Sequence, residues 1–124
     1  MLAYTNPDEA YRRSEVDARV RGGGTQNLVL YCCEQVVVGL DSALLADRRD
    51  DRAMRSRGLT RALSALTALE MGVDRDHPLA SALVAMYAHA RRAILDAVID
   101  FSRDRLQAVR ADFDDLATGF AAAA

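Results

Sequence analysis

Two adjacent cysteines, Cys32 and Cys33, and two histidines, His77 and His89, are the side chains in this sequence best suited to nucleophilic, acid-base or metal chemistry. A catalytic nucleophile needs a base and an orienting group beside it, and no motif here supplies such a set. Adjacent cysteines on a helix point about 100° apart, which excludes a disulfide between them. Neither histidine follows a glutamate by three residues, so the pattern of di-iron bundles is missing. The sequence therefore predicts no enzyme, no metal site and no cofactor.

Length and composition narrow the class of protein. The 124 residues suffice for one domain, and 51% hydrophobic with 27% charged residues is typical of a soluble globular protein. A formal net charge of -2 gives no basic field that would hold nucleic acid. No uninterrupted apolar run reaches the roughly 20 residues that span a bilayer, and the N-terminus lacks the basic start of a secretory signal. These features predict a cytoplasmic protein without direct membrane insertion.

The most apolar part of the chain is residues 25–46, TQNLVLYCCEQVVVGLDSALLA. An ordinary core-facing helix shows one apolar stripe about 100° wide, whereas these residues would make a helix that is apolar on most of its circumference. The valine triplet and Gly39 suit a strand equally well, but no other segment offers a partner strand. We therefore predict a helix that lies at the centre of a bundle and also keeps a face for a partner to cover.

The segment before this helix is predicted to form a separate arm. Asn6 can cap a short polar helix that has Pro7 at its first position and Glu9 three residues after the cap. Three consecutive glycines, residues 22–24, are then predicted to interrupt the helical structure, because glycine has no preferred helical conformation. The predicted organisation is a mobile arm at residues 1–21, a glycine hinge at 22–24, a bundle at 25–121 and a frayed tail at 122–124.

Three more amphipathic helices are predicted after residue 46. Their apolar residues recur three and four positions apart, as in Leu79, Leu83, Met86, Tyr87, Ala90, Ile94, Val98 and Phe101, and in Leu106, Val109, Phe113, Leu116 and Phe120. The predicted bounds are Asp50 or Asp51 to Gly72, then a cap at Asp76 or His77 with Pro78 in the first turn, then Ser102 onward. Short loops between long helices make neighbours antiparallel. The predicted fold class is all-α, an antiparallel up-and-down four-helix bundle with the short N-terminal helical arm.

The segment from Leu83 to Arg92, LVAMYAHARR, resembles the flagellar secretion chaperones of the FliS family. Leu83, Ala85, Tyr87, Arg91 and Arg92 carry the resemblance in this helix. It extends over roughly residues 10–120 through Ala10-Tyr11, Leu28-Val29, Glu34, Gly72-Val73-Asp74 and Phe120. The chain departs from the family pattern at Gly24-Thr25, Cys33, Met86 and His89, mostly towards smaller side chains.

The resemblance implies a specific function. Proteins of this family are cytosolic chaperones that hold the disordered C-terminal segment of flagellin, prevent its premature polymerisation and deliver it to the export gate of the flagellar type III secretion apparatus. Such a segment is apolar and amphipathic, so its exposure invites self-association. A groove lined by helices can cover it, and we expect residues 25–46 and 78–101 to supply that groove. The arm on its glycine hinge could cover the empty groove.

Eight residues are the candidates for partner binding at this stage. Leu28, Val29, Cys32 and Val36 belong to the over-apolar helix, and Tyr11 belongs to the arm, where the resemblance implies a role in arm closure or in docking to the export gate. The candidates on the later helix are Leu83, Tyr87 and Arg91.

Two alternatives remain open from the sequence. A histidine phosphotransfer domain is also a four-helix bundle and would use His89, although Ala90-Arg91-Arg92-Ala93 follows it in place of the usual Lys and Gly. A structural homo-oligomeric bundle would bury the excess apolar surface against a copy of itself. For the chaperone, the expected state is a monomer or weak dimer.

Overall fold

The computed structural model describes the backbone of residues 7–123 and the side chains from residue 27 to residue 122. The described chain forms four helices, α1 (Pro7–Arg48), α2 (Arg52–Met71), α3 (Ala80–Ile99) and α4 (Arg103–Ala123). No strand occurs between residues 7 and 123. The predicted all-α fold is therefore confirmed.

The helices form a four-membered ring in which each helix contacts two others. α1 packs against α2 and α4, and α3 packs against the same two helices. α1 and α3 consequently lie diagonally across the bundle. Arg110 on α4 donates to Asp41 on α1 at 2.8 Å, and Arg103 at the start of α4 donates to the carbonyl oxygen of Leu44 at 2.8 Å, so α4 runs antiparallel to α1. Among the described residues, α1 and α3 do not pack directly against each other. The groove expected between residues 25–46 and 78–101 stays a prediction.

The glycine triplet falls inside α1. Helical backbone continues on both sides of Gly24, which has φ 72° and ψ -156° and kinks the helix. This region of dihedral space is accessible to glycine and strained for other residues, so the sequence places its least restricted residue at the kink. Whether residues 1–21 move as an arm about this point stays a prediction, and Met1 to Asn6 lie outside the described residues.

The ends of α2 lie where the sequence predicts them, whereas α3 starts later than the sequence predicts. Asp51 caps α2 by accepting from the backbone N–H of Met54 at 3.0 Å, and Gly72 follows its last residue. The sequence predicts a cap at Asp76 or His77 with Pro78 in the first turn of α3, but the helix begins at Ala80 without a side-chain cap. The nitrogen Nδ1 of His77 instead accepts from the N–H of Leu79 at 3.0 Å. This local bond holds a turn that delays the helix by about two residues.

The core is filled unequally by the four helices. Cys33, Val36 and Leu40 of α1 have no exposed surface, and α4 contributes Leu106, Val109 and Phe113 as its spacing predicts. Leu79, just before α3, and Val98 on α3 are predicted core residues but are exposed. The buried residues of α3 are Ala80, Tyr87, Ala90, Ala93, Ile94 and Ala97. Small residues therefore occupy most of the inner face of α3, which turns several large apolar side chains outward.

α1 and α2 cross at two glycines. A Cβ atom on Gly39 would lie 2.6 Å from the carbonyl oxygen of Gly58, and a Cβ atom on Gly58 would lie 2.6 Å from that of Gly39. One turn further along each helix stands a buried alanine, Ala43 on α1 and Ala62 on α2. Matching pairs of small residues four positions apart let two helix backbones approach closely. Gly39, which made a strand plausible in the sequence, is thus a helix-crossing residue.

The hydropathy of α1 has a structural explanation. Residues Asn27–Arg48 have a mean hydropathy of 1.6 and are long and apolar enough to pass the length and composition criteria for a membrane span. A central helix of a bundle passes the same criteria because it is buried on more than one side. Tyr31, Cys32 and Cys33 are all buried although successive side chains point about 100° apart. The composition of this helix therefore reflects packing inside the bundle.

Candidate protein-binding surface

Three of the residues singled out by sequence lie in the core. Cys32, Val36 and Tyr87 are buried, and the Tyr87 ring packs against Phe113 with centroids 6.0 Å apart. Burial raises the pKa of Tyr87 to about 12, with smaller contributions from the nearby thiols of Cys33 and Cys32. Burial likewise raises the pKa of the Cys33 thiol to about 12. In this conformation these side chains hold the bundle together and offer almost no surface to a partner.

Three other candidates lie at the surface of the core. Leu28, Val29 and Leu83 are half-buried and pack against the core from the end of the bundle where α1 enters it and α3 begins. Half-buried apolar side chains of this kind can contact both the core and a bound segment. The side chain of Tyr11 is not among the described residues, although its backbone is helical.

Arg91 ties α3 to α2. Its Nε atom donates to Glu70 at 3.0 Å, and its terminal nitrogen donates to Glu70 and, at 2.7 Å, to the hydroxyl of Thr67. The hydrogen bonds to Glu70 raise the pKa of Arg91. A bidentate arginine-carboxylate pair fixes geometry as well as charge. Arg91 therefore positions α3 on α2 in this conformation, rather than standing free to meet an acidic partner.

The sequence reasoning missed a group of exposed apolar side chains on α3. Leu95, Val98 and Ile99 are exposed on α3, as is Val84 three turns before Leu95, and we call these four residues the α3 stripe. Positions 84, 88, 91, 95 and 98 are separated by alternating steps of four and three, which places them on one face of the helix. Arg91 lies in the middle of this face. Met71 at the end of α2 and Leu79 just before α3 are also exposed.

A signal for the α3 stripe exists in the sequence. Ala90, Ala93 and Ala97 have helical spacing as regular as that of the large residues, and they are the residues that face the core. When core residues are chosen by the size of their apolar side chains, Val98 is assigned to the core. The inner face of α3, which consists mostly of alanine, is then overlooked.

A shallow, open groove with a volume of about 500 Å³ lies between α3 and α4. It is lined by Met86 of α3 and by Asp112, Asp115 and Leu116 of α4. His89 is exposed one turn along α3 from Met86. Within residues 27–122, no three His, Cys, Asp or Glu side chains form a group that could hold a metal ion.

A sequence model of one protein family, described as Flagellar protein FliS, matches residues 7–124. The match covers all four helices and includes the α3 stripe and the groove between α3 and α4. No curated protein matches the chain.

Proposed function

Because this chain belongs to the FliS family of flagellar chaperones, we propose that it binds the disordered C-terminal segment of flagellin and prevents that segment from polymerising early. We further propose that it acts in the cytoplasm, as a monomer or weak dimer, and delivers its client to a component of the flagellar export gate. The client would fold onto the chaperone as one or more amphipathic helices, because helices fit the grooves and faces of a bundle.

The observation that carries the proposal is the apolar outer surface of α3. Ile99 is 94% exposed, and Leu95 and Val98 are exposed beside it. Clustered apolar side chains at the surface commonly mark a site that meets a partner. The α3 stripe lies on one face of α3, where Ala88 and the ion-paired Arg91 stand between Val84 and Leu95, so an amphipathic client helix can lie along this face. Leu28, Val29 and Leu83 would extend the site at the end of the bundle.

Calorimetric titration with the C-terminal fragment of flagellin from the same source tests this proposal. We expect a stoichiometry of roughly one to one and a negative heat-capacity change, because the client buries apolar surface as it folds. We expect Val84→Asp to weaken binding by at least about tenfold, since a carboxylate in an apolar interface loses its hydration.

Val38→Asp is the matched control for Val84→Asp. Val38 is 41% exposed on the outer face of α1 and Val84 is 39% exposed on α3, so both substitutions place a carboxylate at an equally exposed valine. Circular dichroism checks that both variants keep their helices. Equal affinities of the two variants would contradict a client site on α3, and absence of binding by the unaltered protein would contradict the chaperone proposal itself.

We also propose that residues 1–21 are an arm that competes with the client. The kink at Gly24 marks the point about which such an arm would turn. Deleting residues 1–21 should leave the bundle folded and leave client affinity unchanged or higher, because a closed state that excludes the client lowers its apparent affinity. The same titration measures this. A large loss of affinity would instead make the arm part of the binding site.

A further inference from the structure

The groove between α3 and α4 differs in character from the α3 stripe, because acidic side chains lie beside its apolar floor. Met86 and Leu116 are half-buried and form the floor, whereas Asp112 and Asp115 are exposed at the rim. Neither aspartate has an ion pair within residues 27–122, in contrast to Asp114, which lies 3.8 Å from Arg110. Two carboxylates without a cation beside them give this rim a negative potential.

An ion pair between α3 and α4 fixes which residues face each other across the groove. Arg105 of α4 donates to Asp96 of α3 at 3.0 Å. Because the helices are antiparallel, moving about two turns from this pair along both helices brings His89 opposite Asp112. Another turn brings Met86 opposite Asp115, in agreement with the residues that line the groove. The acidic rim therefore lies on the α4 side, directly across from the floor residue Met86.

Small residues keep the groove open. In the register set by Asp96 and Arg105, the positions that flank Met86 carry small residues, Ala93 and Ala108 on one side and Ala82 and Gly119 on the other. Such side chains do not fill the space between two helices, so side chains of a third helix can enter it.

We infer that this groove binds a helical segment of the client that carries an apolar anchor and a lysine or arginine about one turn away. This inference rests on the proposed function. The apolar anchor would occupy the space between Met86 and Leu116, and the cation would meet Asp112 or Asp115. Charges at the rim of an interface mainly raise the association rate and select partners of opposite sign. The groove therefore selects among apolar segments by their charge, whereas the four side chains of the α3 stripe are all apolar.

Charge reversal on α4 tests the inference. Asp112→Lys and Asp115→Lys are made separately, and Asp104→Lys is the matched control, because Asp104 is also exposed on α4 but lies outside the groove. The probe is the C-terminal fragment of flagellin, and stopped-flow fluorescence gives its association rate at low and at high salt. We expect each groove variant to associate about tenfold more slowly than the control at low salt, with the difference largely lost at high salt.

The outcomes separate the inference from the proposed function. If the unaltered protein binds the fragment and both groove variants behave like Asp104→Lys, the inference is wrong while the proposed function stands. If the unaltered protein does not bind the fragment, the proposed function fails and the inference falls with it. Slower association confined to the groove variants, with a weaker dependence on salt, supports the acidic rim as a selector of basic clients.

Discussion

Replacing Gly58 with alanine is expected to lower the free energy of unfolding by about 3 kcal/mol. The new methyl group would stand 2.6 Å from the carbonyl oxygen of Gly39 and 2.7 Å from the backbone nitrogen of Ala43. Both atoms belong to the backbone of α1, so no side-chain rotation relieves the contact and the two helices must move apart. Gly39→Ala should have a similar effect, because its Cβ would meet Gly58 and Ala62 in the same way.

Gly119→Ala is the internal control for this prediction. Gly119 lies within α4, and a Cβ atom there would have nothing within 4 Å. Alanine should therefore stabilise the protein by up to about 1 kcal/mol through its higher helix propensity. Urea unfolding followed by circular dichroism measures all three variants. The double variant with alanine at Gly39 and Gly58 should lower the free energy of unfolding by less than the sum of the two single variants. Helices that the first methyl group has already separated admit a second one more easily. Unchanged stability of Gly58→Ala would contradict the close crossing.

Phe113→Ala is expected to lower the free energy of unfolding by about 3–5 kcal/mol, the range for removing a fully buried aromatic ring. Phe113 is fully buried on α4, and its ring packs on Tyr87 of α3 with an angle of 23° between the ring planes. Removing it leaves a cavity between α3 and α4, which the small residues of α3 cannot fill. Thermal and urea unfolding measure the loss.

Phe120→Ala on the same helix is the comparison for Phe113→Ala. Phe120 is half-buried near the end of α4, so its removal exposes less apolar surface and leaves an opening that water can fill. We expect the cost to be less than half of that for Phe113→Ala. Similar losses for the two variants would mean that Phe113 is not the central residue of the core.

The sequence predicted where the helices begin and end better than it predicted which side of each helix faces the core. The cap at Asp51, the end at Gly72 and the seam of α4 follow from local rules, because each depends on residues within one or two turns. The inner face of α3 does not follow from such rules. Tyr87 and Ile94 face the core as expected, but Val98 faces outward, and what decides between them is the position of α2 and α4 rather than anything local.

The residues of the candidate site were likewise predicted only where local sequence decides their position. Eight residues were selected for partner binding, and of these Cys32, Val36 and Tyr87 lie in the core because their helices bury them. The sequence also gave no indication that Arg91 would be held by Glu70, twenty-one positions earlier in the chain. Partners on different helices become neighbours only when the bundle forms. The family match, by contrast, needed no structure, because it depends on the order of residues along the whole chain.

Because the helices fill the core unequally, α1 and α2 are packed together more rigidly than α3 is packed on the bundle. α1 and α2 meet backbone to backbone at Gly39 and Gly58, so any shift between them breaks many contacts at once. α3 is held largely by alanines, each of which contributes little on burial. Free energies of local opening vary within one protein in this way. We expect backbone amides to exchange with solvent sooner in α3 than in α1 and α2, so that the helix that presents the α3 stripe can adjust its position while the rest of the bundle stays fixed.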